Sequence, residues 1–277
     1  DPAKVAEAEK RAKEADLNIV VAGEYMMRFR WTDRTDGEDT DRSDLDLVGL
    51  QNELIRKVAA SGKPTILILV NGRPLGVEWA AEHLPAIVEA WAPGMYAGQA
   101  VAEILYGKVN PSAKLAITIP RSVGQLQMIY NHKPSQYFHP YAVKPSTPLW
   151  PFGYGLSYTT YKYDDLKLSA KEVSQNQNVE VSVKVTNTGQ RDGVEIVQLY
   201  IRDKYSSVTR PVKELKDFAR VALKAGESKV VTFTITPDKL AFYDKKMKWI
   251  VEPGEFVVMA GASSADESLL KETFILK

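Results

Sequence analysis

The chain has no cysteine among its 277 residues, which excludes disulfides and thiolate metal sites outright. Histidine is scarce too: His83, His132 and His139 are scattered without ligand spacing and give no metal case. An excess of charge of either sign is also missing. With 36 basic and 35 acidic residues the net charge is +1, so there is no electrostatic case for nucleic acid or an anionic membrane surface. Apolar runs are short; stretches such as Pro64–Val70 fall far below the roughly 20 residues that span a bilayer. Gly23-Glu24 follows an apolar run as a nucleotide-binding turn would, but no G-x-G-x-x-G follows. Glu24 is therefore read as structural, bonding to loop amides, and no cofactor is implied. The chain opens at Asp1-Pro2 with neither an initiator Met nor a signal peptide, and it reads as a piece of something longer or as a processed product.

What is present is ordinary for a globular protein: 44% hydrophobic and 26% charged residues, in a length that favours two domains. The first 125 residues alternate apolar runs with helical patterns. Lys4–Ala15 is an Ala/Glu/Lys-rich amphipathic helix, and Leu17–Ala22 an almost unbroken apolar run that suits a strand buried on both faces. A helix over Leu47–Ala60, a strand over Thr65–Val70, a short helix over Val77–Glu82, a strand over Ala86–Trp91, a helix over Tyr96–Leu105 and a strand over Leu115–Ile119 follow. Such alternation predicts a three-layer, doubly wound α/β domain with a mostly parallel sheet. Residues 126–158 are dense in proline and aromatics, which predicts an extended, ordered connector. From 159 to 277 the period changes to two. Val179, Val181, Val183 and Val185 alternate with polar residues, and Val194–Ile201, Lys229–Ile235, Gly254–Ala260 and Glu272–Leu276 are further strands. Short strands without a long helix predict a β-sandwich of fibronectin type III or immunoglobulin character.

Several strings in this order are familiar together. They are Val20-Val21-Ala22-Gly23-Glu24, Gly37-Glu38, Asp41-Arg42-Ser43-Asp44-Leu45, Gly62-Lys63-Pro64, Gly72-Arg73-Pro74, Asn110-Pro111-Ser112 and Pro120-Arg121-Ser122. Trp150-Pro151-Phe152-Gly153-Tyr154-Gly155-Leu156-Ser157-Tyr158 is the most specific, and Arg210-Pro211-Val212-Lys213-Glu214-Leu215 and Pro253-Gly254-Glu255-Phe256 continue it. The collinear set resembles the C-terminal region of glycoside hydrolase family 3 β-glucosidases and β-xylosidases. Departures are Ala113 and Ala116, where many relatives carry Gly and Pro, and Gln127 in place of a common Pro. The resemblance implies a retaining, exo-acting β-glycosidase whose N-terminal (β/α)8 barrel, holding the Asp nucleophile, is not in this chain. It also implies a fibronectin-like second domain, a β-linked oligosaccharide or glucoside as substrate, and a secreted or periplasmic setting. It matches the family's acid/base Glu to Glu38.

Glu38 lies in Asp36-Gly37-Glu38-Asp39-Thr40-Asp41, with Arg34 and Arg42 on either side. By spacing alone this is a solvated charged loop; the resemblance makes Glu38 the expected general acid/base. A second catalytic carboxylate within the loop, Asp36 or Asp41, has nothing in the sequence to fix its distance. Calcium is not indicated, since no Asp-x-Asp-x-Asp-Gly pattern appears. Tyr25, Phe29 and Trp31 precede the loop. Trp31 is either a wall of the aglycone subsite or a packed loop residue. Two function classes stay open: the acid/base-bearing part of a β-glycosidase, inactive without its barrel, or a non-catalytic module that binds carbohydrate or protein. An apolar patch on the face bearing the 25–42 loop favours the first, and a fully polar face there favours the second.

Overall fold

The computed structural model describes residues 1–25, 32–134 and 141–277. Its chain divides into two compact units. The first comprises 1–101, 119–127 and 147–149; the second comprises 102–118, 128–146 and 150–277.

The first unit opens with α1 (Pro2–Glu14), whose Ala, Glu and Lys content favours helix. Asp1 caps it by accepting from the Ala3 N–H at 3.0 Å, with Pro2 in the first turn, where a missing donor costs nothing. Strand β1 (Asn18–Gly23) follows, then α2 (Gln51–Ala59), β2 (Thr65–Val70), α3 (Glu78–His83), β3 (Ala86–Glu89) and α4 (Ala97–Leu105). The unit boundary falls inside α4. The three strands form a parallel sheet in the order β1-β2-β3, with Val20 opposite Leu67 and Leu67 opposite Ile87. Helix α1 packs on α2, α2 on β1 and β2, and α3 on α2 and β3. Side chains alternate across a strand, so Val20, Ala22, Leu67 and Leu69 share one face of the sheet, and all four are buried. Ile19 and Val21 lie on the other face and are 49% and 63% exposed. The two-sided burial expected of β1 is therefore realised on one side within this chain.

Leu115–Ile119 is not a strand. Leu115 instead exchanges hydrogen bonds with residues 153–154: its N–H donates to the Tyr154 carbonyl at 2.8 Å, and Gly153 N–H donates to its carbonyl at 2.7 Å. An apolar run alone does not distinguish a sheet strand from a segment paired to a neighbouring loop.

The second unit is a β-sandwich. Strands β4 (Tyr161–Leu168), β5 (Glu172–Val173), β6 (Val179–Asn187), β7 (Gly193–Asp203), β8 (Glu214–Leu223) and β9 (Ser228–Ile235) are followed by the short helix α5 (Pro237–Leu240). The hairpin β10 (Phe242–Tyr243) and β11 (Trp249–Ile250), then β12 (Gly254–Gly261) and β13 (Leu269–Leu276), complete it. One sheet runs β5-β13-β12-β7-β8 and the other β4-β6-β9. The valines of β6 at 179, 181, 183 and 185 are wholly buried against Val197, Leu199, Phe256, Val258 and Phe274. Burying such side chains stabilises by about 1.5–3 kcal/mol each. The outer face of the larger sheet carries Tyr200, Met259 and Leu269, and Tyr130 and Phe152 cover it with rings stacked 4.2 Å apart. Glu195, on the same face of β7 as Val197 and Leu199, is buried with Lys114 Nζ at 3.1 Å, and the Tyr163 hydroxyl of the facing sheet donates to it at 3.0 Å.

Candidate active-site loop

Parallel strands deliver their chain ends to one edge of the sheet, where open α/β sheets place ligands. Glu24, Asn71 and Glu89 mark that edge at β1, β2 and β3. The exit from β1 is fixed by Gly23, which has φ +143° and lies so close to β2 that a Cβ would stand 1.9 Å from the Val70 carbonyl oxygen. Only glycine fits there. Gln51, at the start of α2, holds the same residue from the other side. Its amide accepts from Gly23 N–H at 2.7 Å and donates to Gly23 O at 2.8 Å.

Among the described residues the partner of Glu24 is a guanidinium rather than the expected loop amides. Its side chain is fully buried and receives the Arg73 guanidinium, Nη2 at 2.6 Å and Nε at 3.2 Å. Burial pushes its carboxyl above the usual range, and Arg73 pulls in the opposite direction. Arg73 also donates through Nη1 to the Asp44 carbonyl at 2.8 Å and stands 3.7 Å from Asp36. One guanidinium thus gathers the exit of β1 and two points of the 32–46 loop. The far end of the loop is closed by buried Leu45 and Leu47 and by Gly76 N–H donating to the Leu45 carbonyl at 2.7 Å. Arg42 pairs with Asp44 at 2.9 Å, which holds the Asp44 carboxyl below its ordinary range.

Glu38 sits at the crest between these anchors. A turn closes under it, Thr40 N–H donating to Gly37 O at 2.9 Å, with Gly37 at φ +109° and Asp39 at φ +58°. Arg34 donates to the Glu38 carbonyl, and the Glu38 residue itself is exposed. Beside the loop, Asn71 is wholly buried. Its amide donates to Arg73 O at 2.8 Å and reaches Glu89 at 3.4 Å. Burial pushes the Glu89 carboxyl up, opposed by the Trp91 N–H at 3.1 Å and by Asn71. Trp91 holds φ +52°, a left-handed conformation that is costly for a bulky residue. Glu24 Oε2, Asn71 Oδ1 and Arg42 Nε are buried polar atoms with no hydrogen-bond partner among the described residues. Among those residues no cluster of side chains could hold a metal ion.

The glycosyl hydrolase family 3 C-terminal domain model matches residues 2–158, more than half of the chain. The chain belongs to glycoside hydrolase family 3. A fibronectin type III-like domain model matches residues 195–264. A β-xylosidase of Formosa agariphila is 43% identical over 98% of this chain and 37% of its own length. The periplasmic β-glucosidase of Salmonella typhimurium is 40% identical over 95% of the chain and 35% of its own length. Among solved structures, a β-glucosidase from Erythrobacter marinus superposes with a TM-score of 0.91 at 42% identity, over all of this chain and 37% of that one. The chain spans little more than a third of these relatives.

For a family 3 chain the string Gly72-Arg73-Pro74 acquires a physical role, since Arg73 is the clamp on Glu24 and the loop. In the sequence that string stands only as part of the family resemblance, and no role is assigned there to Arg73, Gln51, Asn71 or Glu89. Trp31 and Phe29 lie outside the described residues. His132 bonds within its own segment, Nδ1 to the Lys133 carbonyl at 2.9 Å, while His139 lies outside the described residues.

Proposed function

We propose that the chain is the C-terminal part of a retaining, exo-acting β-glycosidase in which Glu38 is the general acid/base. The nucleophile is an Asp of a (β/α)8 barrel outside these 277 residues, and the substrate is a β-linked oligosaccharide or glucoside. The observation that carries this reading is the loop itself. Glu38 stands exposed at the sheet's ligand-binding edge, on a crest pinned at both ends by Arg73 and Leu45. A retaining glycosidase needs two carboxyl groups about 5–5.5 Å apart, and one side of that pair has to be presented outward if the other arrives on a separate domain. Met95 and Tyr96, in the segment leaving β3 at the same edge, are 90% and 71% exposed, an apolar surface that suits a covering domain. The relatives named above are β-glucosidases and a β-xylosidase about three times as long as this chain.

Trp31, just before the loop, serves in this reading as a wall for the leaving group. The α/β part, residues 1–125, becomes a three-layer doubly wound domain once the face bearing Ile19 and Val21 is covered by chain beyond these residues. Residues 126–158 join it to the sandwich of 159–277. In the full-length enzyme, Glu38→Ala should slow glycosides with poor leaving groups by roughly 10²–10⁴. Activated aryl glycosides should suffer less in their first step, and azide should restore turnover. Equal loss on both substrate types without azide rescue moves the acid/base role to another residue.

A further inference from the structure

The crest carrying Glu38 rests on a footing laid at the exit of β1. Tyr25 and Thr35 close its base reciprocally: Tyr25 N–H donates to Thr35 Oγ1 at 2.9 Å, and Thr35 N–H donates to the Tyr25 carbonyl at 3.0 Å. The next residue, Asp36, faces Arg73 with its carboxylate 3.7 Å from Nε. The two side chains are only 14% and 16% exposed, so water and salt screen this pair far less than a surface one. Arg73 is itself fixed from below by the enclosed Glu24 carboxylate, which takes Nε and Nη2, and from the far side by the Asp44 carbonyl, which takes Nη1 at 2.8 Å. With the planar fork engaged on both sides, the guanidinium has little freedom to turn.

Above this footing the crest has its own shape but not its own height. The bond from Thr40 N–H to Gly37 O closes the turn, and Arg34 donates to the Glu38 carbonyl, but both come from within the loop and move with it. A Cβ on Gly37 would meet nothing within 4 Å, so no neighbour supports the backbone from the side at that residue. The anchors that tie the loop to the sheet through Arg73 lie two residues before Glu38 and six after it. A general acid works only within about 2.6–3.2 Å of the atom it protonates, and a displacement of about 1 Å costs on the order of 10²-fold. Glu24 and Asp36 share one guanidinium: burial raises the Glu24 carboxyl, Arg73 opposes the rise, and the Asp36 carboxylate adds to it. Glu24 holds the hydrogen bonds, so the link from Asp36 to Arg73 is the one a substitution can break while the domain stays folded.

We infer that Asp36 and Arg73 are positioning residues for Glu38, fixing the height at which its carboxyl meets the leaving-group oxygen. This rests on the reading of Glu38 as the general acid/base. The test compares Asp36→Asn and Arg73→Lys with Glu38→Ala in the full-length enzyme. Asp36→Asn removes the ion pair at nearly constant size, and Arg73→Lys keeps a cation against Glu24 but loses the fork. Both should lower kcat on glycosides with poor leaving groups by about tenfold or more, with KM within about twofold of native and the first step of activated aryl glycosides little changed. Misfolding lowers both substrate types alike. Asp33→Asn, which removes an exposed carboxylate bonded to the Thr32 hydroxyl, should leave both unchanged. In the 277-residue chain, Asp36→Asn should shift the amide NMR signals of residues 37–40 while those of Leu45 and Leu47 stay in place. Native kinetics in Asp36→Asn, an equal loss on both substrate types, the same effect from Asp33→Asn, or unmoved signals at 37–40 would each overturn the inference. If Glu38→Ala does not separate the two substrate types, the reading of Glu38 falls and this inference with it. If Glu38→Ala separates them and Asp36→Asn does not, this inference alone falls.

Discussion

Arg73 reaches back 49 residues to close on Glu24, 2.6 Å from Nη2 to a carboxylate that is wholly buried. A buried carboxylate without its cation is expensive. Arg73→Met should therefore destabilise the first unit by about 3–5 kcal/mol, far more than an exposed ion pair is worth. Arg73→Met with Glu24→Gln in the same chain should recover part of that loss, because the uncompensated charge goes with it. Urea unfolding of the single and double variants measures this; a double variant no more stable than the single one would show that the charge is not the issue.

Gly23 makes a related prediction about the loop's origin. A methyl group at residue 23 would meet the Val70 carbonyl at 1.9 Å, and φ +143° suits no side chain. Gly23→Ala should cost at least about 1–3 kcal/mol, and β1 should separate from β2 at its C-terminal end. Faster amide exchange at Glu24, whose N–H donates to Val70 O at 2.9 Å, reports it directly.

In the sandwich the contrast between core and surface aromatics is sharp. Phe274 is 1% exposed and stacks on Phe256 with ring centroids 5.3 Å apart, whereas Phe218 on β8 is 62% exposed. Phe274→Ala should destabilise by about 3–5 kcal/mol and Phe218→Ala by less than about 0.5 kcal/mol. Comparing their urea midpoints separates the two.

Glu195 supplies the pH dependence. Burial raises its carboxyl above the ordinary glutamate range, and Lys114 and Tyr163 oppose that rise without cancelling it. The folded state therefore holds this proton more tightly than the unfolded state does. The stabilisation belonging to the proton is complete below the unfolded value and is lost as pH rises through the folded one. Glu195→Gln carries no such proton. The stability advantage of the native protein over this variant should shrink as pH rises from the ordinary glutamate range toward neutrality. A gap that widened over that interval would reverse the sign of the shift.

How much of this was legible beforehand depended on whether a feature is local. The four valines of β6 face one core, and their period of two was plain. Strand β4 was missed because Tyr161–Leu168 carries a register shift between Asp164 and Lys167, which breaks the alternation. Strand β8, at the edge of its sheet, has mostly half-buried residues and so shows no clean pattern. Helix α2 begins at Gln51 rather than at Leu47, because Leu45 and Leu47 are spent anchoring the loop to the core. In the site, Glu38 came from family resemblance, since charge spacing alone reads as surface. The Arg73 clamp pairs residues distant in sequence, and no local pattern encodes such a pair.

The last prediction is that the 277-residue chain alone hydrolyses no glycoside above background. Retaining hydrolysis needs a nucleophile about 5–5.5 Å from the acid/base, and three carboxylates of this region, Glu24, Asp36 and Asp44, have other engagements. Glu24 is enclosed by Arg73, Asp36 stands 3.7 Å from the same guanidinium, and Asp44 is bound to Arg42. Each lies against an arginine that belongs to the packing of the loop, which leaves it poorly placed to attack an anomeric carbon. Glu38 itself is exposed, so water reaches the place where a sugar would have to be held and distorted. The assay uses aryl β-glucosides and β-xylosides from pH 4 to 8, roughly the range in which carboxyl catalysts operate. Glu38→Gln, run in parallel, controls for a contaminating hydrolase. Turnover near 1 s⁻¹, at the low end of ordinary enzymes, that disappeared in the Gln variant would mean that both carboxylates reside in this chain and that no barrel is needed.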